Sequence, residues 1–199
     1  MKDRLFFPAI TLLAGALVYL ALMPGIGALP SGSISVGDLN YNLIEVSGVE
    51  LNRIEVGGEA EIELVRGDGP THLRMETIAG ALPDDPLQGP HFVLAADIEV
   101  QFSGFEVDIT VRAKPGERLG ATQMMVNYST GREGESGWQV FNLQPDWADF
   151  TFTYRVPVKS GDNALDYLAI RPVTPDKTRS LLIESVTFRC GARWASQEG

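Results

Sequence analysis

Trp138, Tyr128, Gln139 and Asn127 flank a glycine-rich stretch, Thr130-Gly131-Arg132-Glu133-Gly134, and bring together an indole, a phenol and two amides. An aromatic face can stack on the apolar face of a sugar ring while amides bond its hydroxyls, so these four residues carry the chemistry of a glycan site. The competing reading has Trp138 pack over the hairpin as structure. Glu63, Asp97 and Glu184 are candidate ligands for a structural calcium, an ion that needs about six to eight converging oxygens. Against this stands the reading of three solvated strand carboxylates.

Catalytic signals are absent from the sequence. His72 and His91 come without an HExxH or CxxC companion, which excludes the usual zinc spacings. No serine sits in a GxSxG setting. Asp84-Asp85 lies between Pro83 and Pro86 and reads as a turn, not an acid/base dyad. The glycine-rich segments precede no helix and so cradle no phosphate. The chain is expected to bind without transforming, and to need no cofactor beyond the calcium considered above.

Most of the chain alternates apolar and polar residues with period two, the mark of strands buried on one face. Ala60, Ile62 and Leu64 alternate with Glu59, Glu61 and Glu63; Phe105, Val107, Ile109 and Val111 alternate with Glu106, Asp108, Thr110 and Arg112. The run from Val93 to Phe102 alternates too and predicts a third strand. Ile44-Glu45-Val46-Ser47-Gly48 recurs as Ile54-Glu55-Val56-Gly57-Gly58, two short strands closed by glycine. Turns are expected at Ala113-Lys114-Pro115-Gly116 and Ser160-Gly161-Asp162-Asn163. Strands joined by turns, without helices, imply an antiparallel sandwich or barrel.

The N-terminus differs. No charge interrupts Leu5 to Leu29, whereas Lys2 and Arg4 precede it and the next basic residue is Arg53. The run predicts a transmembrane helix ending at Pro24-Gly25, with the N-terminus cytoplasmic and the remainder exported. A cleaved signal peptide is the rival, weakened by Ile26 in Ile26-Gly27-Ala28 where a small residue is preferred. Thr11, Ala14, Gly15, Val18 and Ala21 share one helical face, the small-residue surface used for helix packing in membranes. The expected location is a bacterial inner membrane, single-pass, with the domain in the periplasm. The chain divides into an anchor (1–30), a linker with short strands (31–58), a β-sandwich (59–190) and a polar tail (191–199).

The chain's net charge is −10, and without Lys2, Arg4 and Asp3 the part beyond the anchor carries −11, which disfavours nucleic acid and anionic headgroups as partners. One cysteine, Cys190, permits no internal disulfide, so the fold must rest on an apolar core.

The order Phe105 to Arg112, Met124-Met125-Val126-Asn127-Tyr128, Gly137-Trp138, Asp146 to Pro157, Ala164 to Pro172 and Leu181 to Phe188 resembles the jelly-roll β-sandwich of galactose-binding-like domains and carbohydrate-binding modules. The resemblance implies an all-β fold, a packed core tryptophan at Trp147 and frequent sugar binding; it departs at Glu184-Ser185, where such domains often carry Asp. Two roles follow. The first is an accessory or scaffold subunit, docked on a larger membrane protein complex through helix and sandwich. The alternative is a membrane-tethered module holding envelope or extracellular glycan. The small-residue helix face and the strand-rich linker place the scaffold ahead.

Overall fold

Among the described residues the alternating runs form ten strands in two antiparallel sheets. The computed structural model describes residues 3–22, 28–35, 41–67, 69–80, 84–159 and 165–194; side chains at 3–5, 9 and 20–22 fall outside. The expected stop at Pro24-Gly25, the turn at Ser160–Asn163 and the tail from 195 onward lie outside the described residues. The strands are β1 (Leu43–Ser47), β2 (Ala60–Val65), β3 (His72–Thr77), β4 (His91–Leu94), β5 (Phe105–Pro115), β6 (Gln123–Ser129), β7 (Gln139–Asn142), β8 (Ala148–Arg155), β9 (Asp166–Pro172) and β10 (Arg179–Arg193). The larger sheet runs β2-β3-β10-β5-β8 with β1 also on β10, and the smaller runs β4-β9-β6-β7.

Period two dictates which residues meet between the sheets. Val107, Ile109 and Val111 of β5 point inward with Leu181, Ile183, Val186 and Phe188 of β10, and meet Phe92, Leu168, Ile170 and Val126 from the smaller sheet. Polar residues of the same strands take the outer faces. A β-bulge in β10 between Ile183 and Ser185 frees Glu184 from the β5 ladder. Bulges re-aim a side chain, and here Glu184 accepts from Arg112 Nε at 2.7 Å. Arg112 also reaches Asp149 at 3.1 Å. Bonds from Asp149 and then Glu184 raise the Arg112 pKa above its ordinary value.

Three expectations change. The run predicted as a strand over Val93–Phe102 splits into β4 and a helix, α2 (Ala96–Phe102). Ile98 and Phe102, one helical turn apart, are both fully buried, and Asp97 and Glu99 sit in the first turn where the helix dipole favours acids. The segment read as a linker belongs to the sandwich: β1 pairs β10, Ile34 bridges Leu94 in parallel, and Glu55 bridges His91. At the N-terminus the apolar run forms α1 (Asp3–Leu22), and Leu29 lies outside any helix. Among the described residues no helix is long and apolar enough to cross a membrane, so the expected spanning anchor is not supported. Every described side chain of α1 is exposed, Thr11, Ala14, Gly15 and Val18 included, with Thr11 Oγ1 donating to the Phe7 carbonyl. Ala21 lies on α1 with its side chain outside the described set.

Trp194, expected in a polar tail, is tied to the sandwich, its Nε1 donating to the Val156 carbonyl at 2.9 Å. Cys190 is half-buried, and burial pushes its thiol pKa up. A raised pKa keeps the less reactive protonated form.

Candidate functional site

Among the described residues two polar clusters stand on the outer faces, one on each sheet. On the smaller sheet, Trp138 Nε1 donates to the Asp84 carbonyl at 3.2 Å while the Arg171 guanidinium lies 4.0 Å from the indole centroid. Asn127 Nδ2 donates to Glu135 at 2.9 Å, and Gln139 Nε2 to the Ser136 carbonyl at 2.9 Å. Trp138, Asn127 and Gln139 therefore gather around the 130–138 hairpin; the two amides bond within it, while the indole N–H reaches Asp84. Tyr128 is separated from them. Successive strand residues point to opposite faces, so with Asn127 outward Tyr128 enters the core, fully buried, its hydroxyl donating to Asp166 Oδ2 at 2.9 Å.

The larger sheet carries an open cleft of about 450 Å³ where β2, β3 and β10 meet the 116–120 turn. Glu63 and Val65 line it from β2, His72, Arg74 and Glu76 from β3, Ser180 and Leu182 from β10, and Glu117, Arg118 and Leu119 from the turn. The β2–β3 register sets Glu63 opposite Arg74, and they pair at 2.7 Å. Both side chains are about half exposed. Such a pair adds at most about 1 kcal/mol to stability, which leaves its donors and acceptors free to exchange partners with a ligand.

Ser180 holds the turn against β10. Its carbonyl accepts from Gly116 and Ala121 N–H groups, its N–H donates to the Leu119 carbonyl, and its hydroxyl donates to the Arg118 carbonyl. A Cβ on Gly116 would meet Ser180 Oγ at 2.0 Å, so only glycine permits this approach. The clamp fixes Leu119 at φ 56°, the left-handed region that branched residues avoid, with its side chain on the cleft rim. Strain of that kind persists where surrounding structure over-determines it, commonly at ligand sites.

Trp147 flanks the cleft. It does not pack in the core as the resemblance implied: it precedes β8 on the outer side, its ring edge-on to His72 at 5.8 Å and 5.0 Å from the Lys114 ammonium. His72 Nδ1 lies 3.0 Å from the Pro70 carbonyl. The Ser180 hydroxyl and this histidine are both engaged by backbone carbonyls. The proposed calcium ligands do not assemble: Glu63 faces Arg74, Asp97 on α2 accepts from Ser35 Oγ at 3.0 Å, and Glu184 faces Arg112. Among the described residues no three His, Cys, Asp or Glu side chains stand close enough to hold a metal ion.

Sequence reasoning missed Arg74, Glu76, Glu117, Arg118 and Leu119. The only local signal is the pair of glycines, Gly116 and Gly120, around two charges and a leucine.

A larger outer sheet bearing a cleft, backed by a smaller sheet across one core, defines an all-β sandwich built like carbohydrate-binding modules. No family model matches the chain, and no curated protein matches it in sequence. Among solved structures it is similar to the N-terminal tandem of two family 22 carbohydrate-binding modules from Paenibacillus barcinonensis Xyn10C, at 13% identity and TM-score 0.51, over 73% of this chain and 43% of that one. It is also similar to the first, xylan-binding module of that protein (14% identity, TM-score 0.48, 77% of this chain, 95% of that one). A third is the C-terminal family 22 module of Clostridium thermocellum Xyn10B (18% identity, TM-score 0.46, 72% and 88%). At these identities the likeness concerns the fold alone.

Proposed function

We propose that the protein is a non-catalytic glycan-binding module whose site is the cleft between β2, β3, β10 and the 116–120 turn. The observation that carries this reading is the cleft's construction: alternating carboxylates and guanidinium groups, an aromatic pair at one edge and a strained apolar rim. Paired carboxylate and guanidinium groups bond vicinal hydroxyls, while apolar rims cover the hydrophobic face of a sugar. The sandwich likeness to solved carbohydrate-binding modules supports the same direction. The scaffold role, placed ahead on sequence alone, loses its main argument with the spanning anchor.

Isothermal titration with soluble xylan, mixed-linkage β-glucan and galactan tests the reading. Binding of one of them, weakened in Arg74→Ala and in Trp147→Ala, is expected. Failure of the whole panel, or equal binding by both variants, overturns it. Leu119→Gly provides a sharper probe of the rim: about 1 kcal/mol of left-handed strain is relieved, offset by the greater unfolded freedom of glycine. The melting temperature should then stay within a few degrees while glycan affinity falls; unchanged affinity would remove Leu119 from the site.

For location we propose attachment through α1 to a bacterial inner membrane, with the sandwich in the periplasm. The support is the exposed apolar surface that includes Phe6, Phe7, Leu12, Leu13 and Tyr19. Isolated apolar side chains on a surface need no explanation, but a helix apolar on all sides does. The full chain should float with neutral phosphatidylcholine vesicles in a density gradient; recovery at the bottom would refute it.

A further inference from the structure

β8 ends the larger sheet, and among the described residues no backbone hydrogen bond reaches it from the side opposite β5. An open edge is a template for another strand. The side chains on this edge are self-complementary. Asp149, Thr151, Thr153 and Arg155 point outward, with Asp149 and Arg155 the most exposed partners of their ion pairs, at 60% and 70%. Phe150, Phe152 and Tyr154 alternate with them on the inner side.

We infer that β8 pairs antiparallel with β8 of a second copy of this chain, about a two-fold axis at Phe152. The register follows from alternation. Residues directly opposite in an antiparallel ladder share a face, so a shift by one residue would set outward charges against inward aromatics. Of the registers that remain, the one centred on Phe152 places Asp149 opposite Arg155 at both ends, Thr151 opposite Thr153, and Phe150 opposite Tyr154. Shifting by two sets Asp149 opposite Thr153, or Arg155 opposite Thr151, and both charge pairs vanish. Each Asp149 then lies between Arg112 of its own chain, at 3.1 Å, and Arg155 of the other; each Arg155 lies between its own Glu106, at 2.9 Å, and the other chain's Asp149. Charge alternates across the seam. One strand pair covers less than the roughly 800 Å² per partner of a standard interface, so association is weak and appears only at high protein concentration. A doubled sandwich would present two clefts to one polymer and gain affinity by avidity.

Sedimentation equilibrium of the full chain in detergent, over a concentration series, tests this with Asp149→Arg and Arg155→Asp. Each variant alone faces like charges twice and should stay monomeric where the parent dimerises. An equimolar mixture of the two should recover the dimer, because each introduced charge meets an opposite one. Association through α1 would be the same in all four samples. Circular dichroism checks each fold, and a third variant, Thr151→Lys with Thr153→Lys, sets lysines opposite each other without touching the Arg112 and Glu106 bridges; it too should be monomeric. Self-association of the single variants at parental strength, or a mixture that stays monomeric, would overturn the pairing.

Discussion

Lys159→Met should destabilise the sandwich by about 3–5 kcal/mol, the usual result of removing one partner from a buried ion pair. Lys159 Nζ lies 2.6 Å from Glu99 Oε2 and 2.9 Å from Asp166 Oδ1, and the two carboxylates are 2% and 0% exposed. Asp166 also accepts the Tyr128 hydroxyl, and its N–H donates to Glu99 Oε1 at 3.0 Å. The ammonium is the cation joining α2 to the start of β9, and without it two buried anions repel. Measured by urea unfolding, a loss below about 1 kcal/mol would refute this assignment. Replacing all three by Met, Gln and Asn together should restore part of the loss, since the penalty is for uncompensated charge.

The same cluster predicts the sign of the pH dependence. Burial lowers the Lys159 pKa, but bonds to Asp166 and Glu99 outweigh it and the net shift is upward from 10.5. Burial and then Asp166 push Tyr128 well above 10.0. In both cases the folded chain holds its proton more tightly than the unfolded one, so this stability is full below about pH 10 and is lost as pH rises through the folded values. Burial also raises Asp166 above 3.8, despite the opposing Lys159 bond, so its contribution falls between that value and its folded pKa and is flat beyond. The urea midpoint should drop between pH 9 and pH 11, less steeply in Lys159→Met.

The second large effect concerns the cleft. Arg74→Ala should weaken glycan binding by about 10- to 150-fold, the equivalent of one or two hydrogen bonds to a charged group at about 1.5–3 kcal/mol. Its effect on stability should stay within about 1 kcal/mol, because the Glu63–Arg74 pair is half exposed. Trp147→Ala should cost about tenfold, the upper value for one aromatic contact. Titration calorimetry beside thermal melts separates the two quantities. If Arg74→Ala loses stability and affinity in parallel, the residue is structural and the cleft is not the site.

Much of the architecture was legible in the alternation of apolar and polar residues. Glu106-Val107-Asp108-Ile109 states which face of β5 is dry, and the same reading extends to β2, because a strand buried on one face writes its orientation into its composition. Val93 to Phe102 defeated it. Over so short a run, period two and one helical turn from Ile98 to Phe102 both fit, and burial against the core selected the helix. Tyr128 beside Asn127 was a legible error, since neighbours on one strand cannot share a face.

Alternation, turn chemistry and the charge-free N-terminal run are local properties, and the chain by itself determined them: an all-β core, its inward rows, an exposed apolar helix and an acidic surface. Tertiary structure alone decided which outward charges came to line the cleft. Glu63, Arg74 and Ser180 are distant in sequence and meet only through the β2–β3–β10 register, while Glu106 and Arg155, of the same residue types, form an exposed pair at the sheet's far end. Strand pairing is a non-local choice, and no residue's immediate neighbours encode it.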